Sequence, residues 1–495
     1  MSLMARWAAF PRIYEINTCV WLNELSQKQG RPVTLASVPA HEWDEIEALG
    51  MDAVWFMGVW ERSPLGREMA NRNQSLLADF QRTLTDFKPQ DNVGSPYCIR
   101  NYQVAAHFGG REALASARRE LAQRGMRLVL DYVPNHVAPD HPWVLRHPEY
   151  FIRGDESDLA RDPASFVAVG NGIFACGRDP YFPAWPDVLQ LNAFAPELRA
   201  AAEDTVCDIA RQCDAVRCDM AMLMLNHVFQ RTWGERAGEM PLLDYWRQLI
   251  PQVKSAFPDF LFIAEAYWDL EWELQQQGFA YCYDKRLYDR LAHEPAEAVR
   301  LHLCASGDYQ NHLVRFLENH DEPRAAGTFC FEKECAAAVE TLTLPGARLL
   351  HEGQLEGRKI RIPVFLARRP QEPVNEPLRA FYGKLLTAAD DPIFRDGEWQ
   401  LCERTGWPDN ASYLNVVAHC WQLDHTRYLV VTNLGDTRSQ ARVRVPWPAL
   451  AGHHWRLSDR LSGEEFERDG TEMCGAGLFV DLPGWGYHFL SVQPS

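Results

Sequence analysis

The sequence predicts an α/β fold: a (β/α)8 TIM barrel followed by an antiparallel β-domain. Up to about residue 395, short apolar runs that suit fully buried strands alternate with amphipathic helical stretches. This alternation is typical of a parallel sheet, and its length favours a closed barrel with insertions. Beyond that point the pattern changes to short strands separated by turns, as at residues 428–432 and 487–492, which is typical of an antiparallel sheet.

Six apolar runs carry the barrel prediction, each short enough to be a strand. They occur at residues 53–57, 126–130, 215–216, 260–264, 313–317 and 347–350. Helical patterns separate them; the clearest runs from Gly110 to Gly125 and stops at a glycine just before the next apolar run. The sequence therefore predicts strands that are followed by helices, as a parallel barrel requires.

Two segments interrupt the alternation. Residues 61–95 are polar, and we expect them to form a loop after the second strand. Residues 137–187 follow the third strand and are rich in Pro, Asp and Gly, which favours a small inserted subdomain. The predicted domains are therefore a catalytic barrel over 1–136 and 188–395, an insert over 137–187, and a C-terminal β-sandwich over 396–495.

Charge and composition exclude several classes of partner. The 50 Lys and Arg residues against 67 Asp and Glu residues give a net charge of −17, which opposes binding to nucleic acid and to anionic membranes. No apolar run is long enough to span a membrane, and the N-terminal residues lack the apolar core of a secretion signal. The 13 scattered cysteines suit a reducing compartment, so a cytoplasmic location is expected. The sequence leaves the oligomeric state open.

Four acidic residues lie at the C-terminal ends of predicted buried strands: Asp131, Asp219, Glu265 and Asp321. An unpaired buried carboxylate is costly, so chance placement at these positions is disfavoured. The C-terminal strand ends of a parallel barrel meet at one face, where active sites are built. Carboxyl groups gathered there suit glycosidic chemistry, in which one attacks carbon and a second donates a proton to the leaving oxygen.

The segments around these carboxylates resemble the four signature regions of the alpha-amylase family of glycoside hydrolases. They are residues 131–136 (DYVPNH), 216–219 (VRCD), 262–265 (FIAE) and 316–321 (FLENHD), in the family's order. The resemblance covers roughly residues 10–395 together with the β-domain. It implies a retaining hydrolase or transglycosylase that acts on α-glucosidic linkages of short oligosaccharides through a covalent glycosyl-enzyme intermediate.

The resemblance also implies a role for each carboxylate of the trio. Asp219 would be the nucleophile, Glu265 the general acid/base, and Asp321 the carboxylate that grips sugar hydroxyls. Arg217 lies two residues before Asp219 on the same strand, so both side chains face the same way and the guanidinium would keep Asp219 ionised. In a retaining enzyme the two catalytic carboxyl groups lie about 5–5.5 Å apart.

Further residues are implied around the sugar. His136 and His320 would bind its hydroxyls, and Tyr97 would stack beneath its ring. Asp131 and Asn135 would support the site from behind.

Two departures from the family's pattern follow the predicted nucleophile. Many amylases carry a Lys-His pair where this chain has Met222 and Leu223. Apolar side chains there would contact the acceptor side without donating a hydrogen bond, which predicts a preference for short saccharides over starch. The missing histidine is linked to a structural calcium in related enzymes, so we expect no metal or cofactor, and calcium at Asn135 is in doubt.

Other functions fit the sequence less well than this assignment. An isomerase or phosphorylase of the same family, of the trehalose, sucrose or maltose type, would use the same three carboxylates. A non-catalytic carbohydrate-binding relative would usually lack one of them. A metal hydrolase or a nucleotide enzyme is poorly supported, because the sequence has neither His-Glu-x-x-His nor Gly-x-Gly-x-x-Gly.

Overall fold

A closed barrel of eight parallel strands forms the centre of the molecule in a computed structural model that describes residues 7–495. In chain order the strands are β1 (Arg12–Asn17), β2 (Ala53–Met57), β3 (Arg127–Tyr132), β4 (Ala215–Cys218), β5 (Leu261–Ala264), β6 (Tyr281–Tyr283), β7 (Leu313–Arg315) and β8 (Ala347–His351). Each strand pairs with its neighbours in sequence, and β8 closes the barrel on β1. The predicted barrel is confirmed.

Two barrel strands had no clear signal in the sequence. β6 is only three residues long, which is too short for a periodic pattern. β1 carries Arg12 and Glu15, and both side chains are buried, so the strand does not appear as an apolar run. Glu15 is paired with His320 through the barrel interior, which explains how a carboxylate is tolerated there.

Helices of eight or more residues surround the barrel and pack apolar faces against it. They are Thr18–Gln29, Ala40–Ala48, Gly110–Gln123, Pro196–Ala210, Asn226–Trp233, Tyr245–Ala256, Lys285–His293, Ala296–Leu303, Phe331–Thr343 and Glu376–Ala388. Shorter helices are Trp143–Arg146, Glu156–Arg161, Glu271–Gln276, Gly307–Asn311, Ala325–Thr328, Ile393–Asp396 and Gly470–Glu472. The predicted helix that begins at Gly110 ends at Gln123, two residues before Gly125.

The prediction that residues 61–95 form a loop is wrong, because this segment folds into two helices, α1 (Pro64–Arg72) and α2 (Gln74–Thr83). Ser63 caps α1 by accepting the backbone N–H of Gly66, and Asn73 caps α2 in the same way. The anchor of α2 is Phe80, which is fully buried against the rings of Phe87 and Phe365. The polar composition of the segment hid these apolar contacts.

A small antiparallel sheet lies between β3 and β4 in the chain. Its strands are His136–Val137, Arg153–Gly154, Phe166–Val169, Gly172–Gly177 and Trp185–Gln190. The first and last of these pair with each other, with Gln190 opposite His136. This pairing fixes the sheet at the C-terminal end of β3. A separate two-stranded sheet, Trp60–Arg62 with Ile99–Val104, follows β2.

Two antiparallel sheets form the C-terminal part of the chain, which confirms the predicted β-domain. The larger has the strand order Glu398–Leu401, Val416–Leu423, Thr426–Asn433, Tyr487–Pro494, His454–Asp459 and Glu465–Asp469. The smaller has the order Glu403–Thr405, Ser439–Arg444 and Leu478–Leu482. Side chains from both sheets, such as Leu429 and Val443, share one apolar core. Trp421 joins this part to the barrel by donating to the carbonyl of Thr343 at 2.7 Å.

Between residues 7 and 495, no helix combines the length and the apolar character that crossing a membrane requires. The expectation that no secretion signal is present rests largely on residues 1–6, which lie outside the described residues.

Candidate active site

Arg217 gathers all four predicted carboxylates at the C-terminal end of the barrel. It lies on β4, and its side chain is 1% exposed. Its Nη1 is 2.6 Å from Asp219 Oδ1, and its Nη2 is 2.8 Å from Glu265 Oε2. Asp131 and Asp321 lie further out, at 3.9 and 4.0 Å. The barrel explains this, because Asp219 directly follows β4, Glu265 directly follows β5, and Asp131 lies on β3.

Three aromatic rings enclose the guanidinium of Arg217. The rings of Trp55, Tyr97 and Tyr283 have their centroids 5.4, 5.2 and 5.7 Å from its central carbon. Burial acts to lower the pKa of Arg217, but Glu265 and the other acidic groups around it outweigh burial and raise the pKa well above its ordinary value. The site therefore has a permanent positive charge that water does not screen.

Glu265 is held as a carboxyl group that keeps its proton near neutral pH. Burial raises its pKa to about 7; Arg217 opposes this shift, while Asp219 and Asp321 add to it. Its Oε2 accepts the backbone N–H of Met220 at 2.6 Å, and its Oε1 accepts the hydroxyl of Tyr267 at 2.8 Å. A carboxyl group with such a pKa suits a general acid.

Asp219 is fixed by its own backbone as well as by Arg217. Its N–H donates to the carbonyl of Tyr132 on the neighbouring strand at 2.8 Å. Burial raises the pKa of Asp219, and Arg217 opposes this rise through its charge and a hydrogen bond to Oδ1 of 2.6 Å. The guanidinium thus favours the ionised form that a nucleophile needs.

Asp321 lies in the loop after β7 and stays ionised beside His320. Burial acts to raise the pKa of Asp321, but the charge and the hydrogen bond of His320 outweigh it and lower the pKa to about 2. His320 Nε2 is 2.9 Å from Asp321 Oδ2, and His320 Nδ1 is 2.5 Å from Glu15 Oε1. Burial acts to lower the pKa of His320, but Asp321 and Glu15 raise it well above its ordinary value. Glu15 was missed by the sequence analysis, because β1 also carries Arg12 and Asn17 and has no apolar run that would mark Glu15 as buried.

Tyr97 and His136 line the cavity that contains the trio. The Tyr97 hydroxyl is 2.7 Å from His320 Nε2, and its ring stacks on the imidazole with the centroids 5.5 Å apart. Burial lowers the pKa of His136 to about 4, so its ring is neutral, and it packs edge-on against Trp185. Both side chains reach the cavity from the position that the sequence predicted for substrate contacts.

Asp131 and Asn135 lie behind the cavity rather than on its wall. Asp131 accepts the N–H of Gly58 at 2.9 Å, and burial raises its pKa to about 6. The Asn135 amide pairs with the amide of Gln190: its Oδ1 accepts at 2.8 Å and its Nδ2 donates at 3.3 Å. Since that pair occupies Asn135 Oδ1, and the buried Leu223 side chain offers no oxygen, these residues do not fit a calcium site. Throughout residues 7–495, no group of three or more His, Cys, Asp or Glu side chains is placed to hold a metal ion.

The catalytic cavity has a volume of about 520 Å³ and contains Asp219, Glu265 and Asp321 on its wall. Much of the remaining wall comes from residues that the sequence analysis did not assign to the site. These are Met69, Ala70, Asn73, Leu76, Pro186, Val188, Met220, Tyr267 and Phe365. The first four belong to α1, α2 and the residue between them, so the segment expected to be a loop closes one side of the site.

The expectation that Met222 and Leu223 contact the acceptor is wrong. A tight turn at Ala221–Met224 directs both side chains into the core, where they are 0% and 2% exposed. Met220 takes their place on the cavity wall and has left-handed backbone geometry with φ of 43°.

The chain is similar to known proteins in sequence and in fold. The family model described as alpha amylase, catalytic domain, matches residues 41–162. "Alpha-amylase MalA" of Haloarcula japonica is 24% identical over 437 residues, which cover 87% of this chain and 56% of that protein. "Alpha-1,4-glucan:maltose-1-phosphate maltosyltransferase" of Rhodospirillum rubrum is 26% identical over 257 residues, which cover 49% of this chain and 30% of that protein. The chain thus spans about half the length, or less, of these curated relatives.

Among solved structures, the noncanonic maltogenic alpha-amylase AmyB of Thermotoga neapolitana superposes with a TM-score of 0.68 at 19% identity, and the match covers 100% of both chains. An alpha-amylase of Lactobacillus plantarum superposes with a TM-score of 0.66 at 20% identity over 98% of this chain and 99% of that one. These two likenesses establish the fold. The family model and the curated relatives add that the chain is similar in sequence, over part of its length, to the alpha-amylase family.

Proposed function

We propose that the protein is a retaining glycoside hydrolase or transglycosylase acting on α-glucosidic linkages of short oligosaccharides. The observation that carries the proposal is the contact of Asp219 and Glu265 with the two terminal nitrogens of one buried guanidinium, at the wall of a cavity. Two carboxyl groups so close together suit a double displacement better than the wider spacing of an inverting enzyme. The names of the relatives, alpha-amylases and glucan maltosyltransferases, support the same chemistry.

In the first half of the reaction, an oxygen of Asp219 attacks the anomeric carbon. The glycosidic C–O bond breaks, and Glu265 gives its proton to the departing oxygen. In the second half, Glu265 takes a proton from water or from a sugar hydroxyl, and the resulting oxygen attacks the same carbon. The ester bond to Asp219 breaks and the carboxylate is restored beside Arg217.

Substrate positioning falls to the ionised Asp321 and its neighbours. Asp321 accepts hydrogen bonds from two adjacent sugar hydroxyls, while the neutral His136 binds a third. The wall formed by α1 and α2 closes one side of the cavity, which supports short substrates. An isomerase or phosphorylase of the same family is less favoured, because the named relatives are amylases and maltosyltransferases.

Two further features belong to the proposal. The protein works without a metal ion, in keeping with the poor fit of Asn135 to calcium. It also resides in the cytoplasm, and the observation that all of its cysteines are free supports a reducing compartment.

A product analysis tests the function directly. The protein is incubated with sucrose, trehalose, maltose, maltooligosaccharides and starch, and the products are separated by chromatography, with Asp219→Asn as the inactive control. We expect cleavage or transfer on at least one short α-glucoside, with the α-anomer as the first product by NMR. A β-anomer would contradict the role of Asp219, and no turnover of any substrate would contradict the function.

A further inference from the structure

Glu15 is a buried carboxylate on the barrel strand β1 that lies behind the catalytic cavity and does not line it. Its Oε1 is 2.5 Å from His320 Nδ1, while its Oε2 has no hydrogen-bond partner among the described residues. A buried carboxylate with one oxygen left unpaired is costly. Apolar side chains can often replace a buried ion pair without loss of stability. Stability alone therefore does not account for Glu15.

The other nitrogen of His320 faces the cavity wall. Its Nε2 is 2.9 Å from Asp321 Oδ2 and 2.7 Å from the hydroxyl of Tyr97. The rings of Trp55 and Tyr97 enclose the imidazole, each with its centroid 5.5 Å from that of His320. A histidine that meets a carboxylate at each nitrogen is stable as the imidazolium, which donates a hydrogen bond from both.

Asp321 depends on this contact for its orientation. Its side chain is 42% exposed and lies in the loop after β7, where packing does not fix it. Two cations contact its carboxylate, His320 Nε2 at 2.9 Å and Arg217 Nη2 at 4.0 Å, and both meet Oδ2. The imidazolium is the closer of the two, so it determines how the carboxylate faces a bound sugar.

Glu15 is the charge that sustains the imidazolium from inside the barrel. Other ionisable groups around His320 at longer range are Asp131, Asp219, His351 and Arg217. Burial lowers the pKa of His351 to about 3, so that ring is neutral. Asp219 is compensated by Arg217 at 2.6 Å. Apart from Asp321 itself, Glu15 is thus the one described carboxylate in direct contact with His320.

We propose that Glu15 is a positioning residue of the reaction: it holds His320 as an imidazolium whose Nε2–H fixes the carboxylate of Asp321 toward the sugar. This inference rests on the proposed function, because Asp321 acquires its task from the sugar bound beside it. The hydrogen bonds between Asp321 and the sugar matter most in the transition state. Loss of the Glu15 charge should therefore lower kcat and leave KM nearly unchanged.

The test compares Glu15→Gln with Glu340→Gln. Glutamine keeps the shape of Glu15 and an oxygen for His320 Nδ1 but removes the charge. Glu340 is the matched control, because it is also fully buried beside a buried histidine, His419, at 3.5 Å, and does not line the catalytic cavity. On an aryl α-glucoside, we expect Glu15→Gln to lower kcat roughly ten- to a hundredfold with little change in KM, and Glu340→Gln to change neither.

A double-mutant cycle separates positioning from support of the fold. His320→Gln removes the imidazolium, so adding Glu15→Gln to it should cost no further activity if Glu15 acts through this ring. A further fall as large as that caused by Glu15→Gln alone would overturn the proposal, because it would show that Glu15 acts by stabilising β1. Thermal unfolding of each variant measures that stability directly.

The charge of His320 can also be followed without turnover. In protein with ¹⁵N-labelled histidines, its NMR signal is identified by its absence in His320→Gln. We expect the imidazolium to persist between about pH 5 and 9 in the unaltered protein, because Asp321 and Glu15 raise its pKa well above the ordinary value. In Glu15→Gln it should lose its proton within this range, since one of its two carboxylates is gone.

An imidazolium that persists unchanged in Glu15→Gln would overturn the proposal. If the unaltered protein turned over no substrate, the proposed function itself would fail. The NMR titration would still decide whether Glu15 controls the charge of His320, so the two failures are distinct.

Discussion

Burial acts on every carboxyl group of the site, yet the three catalytic candidates differ because their neighbours differ. Glu265 has one guanidinium nitrogen against two nearby acids, and its pKa rises to about 7. Asp321 has the imidazole of His320 at 2.9 Å, and its pKa falls to about 2. Groups of one chemical type thus differ so much in pKa that, below neutral pH, Asp321 is ionised while Glu265 is mostly protonated, as acid–base catalysis requires.

The pKa of Glu265 predicts how activity depends on pH. Since the free enzyme must hold this proton to protonate the leaving group, kcat/KM should fall as the pH rises through about 7. Substrates with activated aryl leaving groups need less protonation, so kcat/KM for these substrates should fall less as the pH rises. A pH–rate profile on maltose and on an aryl α-glucoside measures both. A flat profile on maltose between pH 6 and 9 would contradict the role of Glu265.

Asp219→Asn keeps the shape of the nucleophile and removes its charge. We expect kcat to fall by at least roughly a thousandfold, because the amide cannot form the covalent intermediate. The fold should persist, since the backbone hydrogen bond to Tyr132 is unaffected. Steady-state kinetics and thermal unfolding measure the two effects separately. Activity within tenfold of the unaltered protein would rule out Asp219 as nucleophile.

Tyr267, on the wall of the catalytic cavity, should influence the pKa of Glu265. The Tyr267 hydroxyl donates to Glu265 Oε1 and thereby favours the ionised carboxylate. Tyr267→Phe should therefore raise the pKa of Glu265, and the pH at which kcat/KM declines should rise by about half to one unit. Tyr428→Phe is the matched control, because Tyr428 also donates to a carboxylate, that of Asp391, far from the cavity. A decline at the same pH in both variants would exclude this role.

At the scale of elements, the helices α1 and α2 close one side of the catalytic cavity. Their wall depends on Phe80, which packs on Phe365, a residue that lines the cavity. Phe80→Ala should destabilise the protein by about 3–5 kcal/mol and raise KM for short substrates as the wall loosens. Leu145→Ala, at a position that is 78% exposed, should do neither. Denaturant unfolding and initial rates would show whether stability and KM change together. An unchanged KM in Phe80→Ala would show that the wall does not depend on Phe80.

Sequence pattern and structure agree best where burial is complete. The apolar run at residues 53–57 predicts β2 to the residue, since every side chain in it is buried. The pattern failed where polar side chains are buried in pairs, as in β1, and where one aromatic anchor holds polar helices, as in α2. A neighbouring cavity of about 480 Å³, which shares Met220 and Tyr267 with the catalytic cavity, could not be predicted either. Its wall is assembled from separate stretches near residues 180, 220, 270, 285 and 322 that carry no common motif.

At the scale of the whole molecule, we expect the site to need no metal ion as a support. The backbone pairing of Gln190 with His136 and the amide pair between Gln190 and Asn135 join the sheet after β3 to the barrel through protein groups alone. We therefore expect chelation with EDTA to leave both the activity and the Tm unchanged. A fall in Tm of several degrees that added calcium reverses would show that a calcium site exists.

The position of Arg217 between two carboxyl groups has a consequence for the charge balance of the whole catalytic cycle. Before reaction Asp219, on Nη1, is negative and Glu265, on Nη2, is neutral. In the intermediate of the proposed mechanism, Asp219 would be a neutral ester and Glu265, having given up its proton, would be negative. The negative charge has moved from one nitrogen of the guanidinium to the other, while its total is conserved. The delocalised charge of the guanidinium can stabilise both states without a movement of the side chain. The single ammonium group of a lysine would lie beside only one of the two carboxyl groups, so Arg217→Lys should fail in one half-reaction.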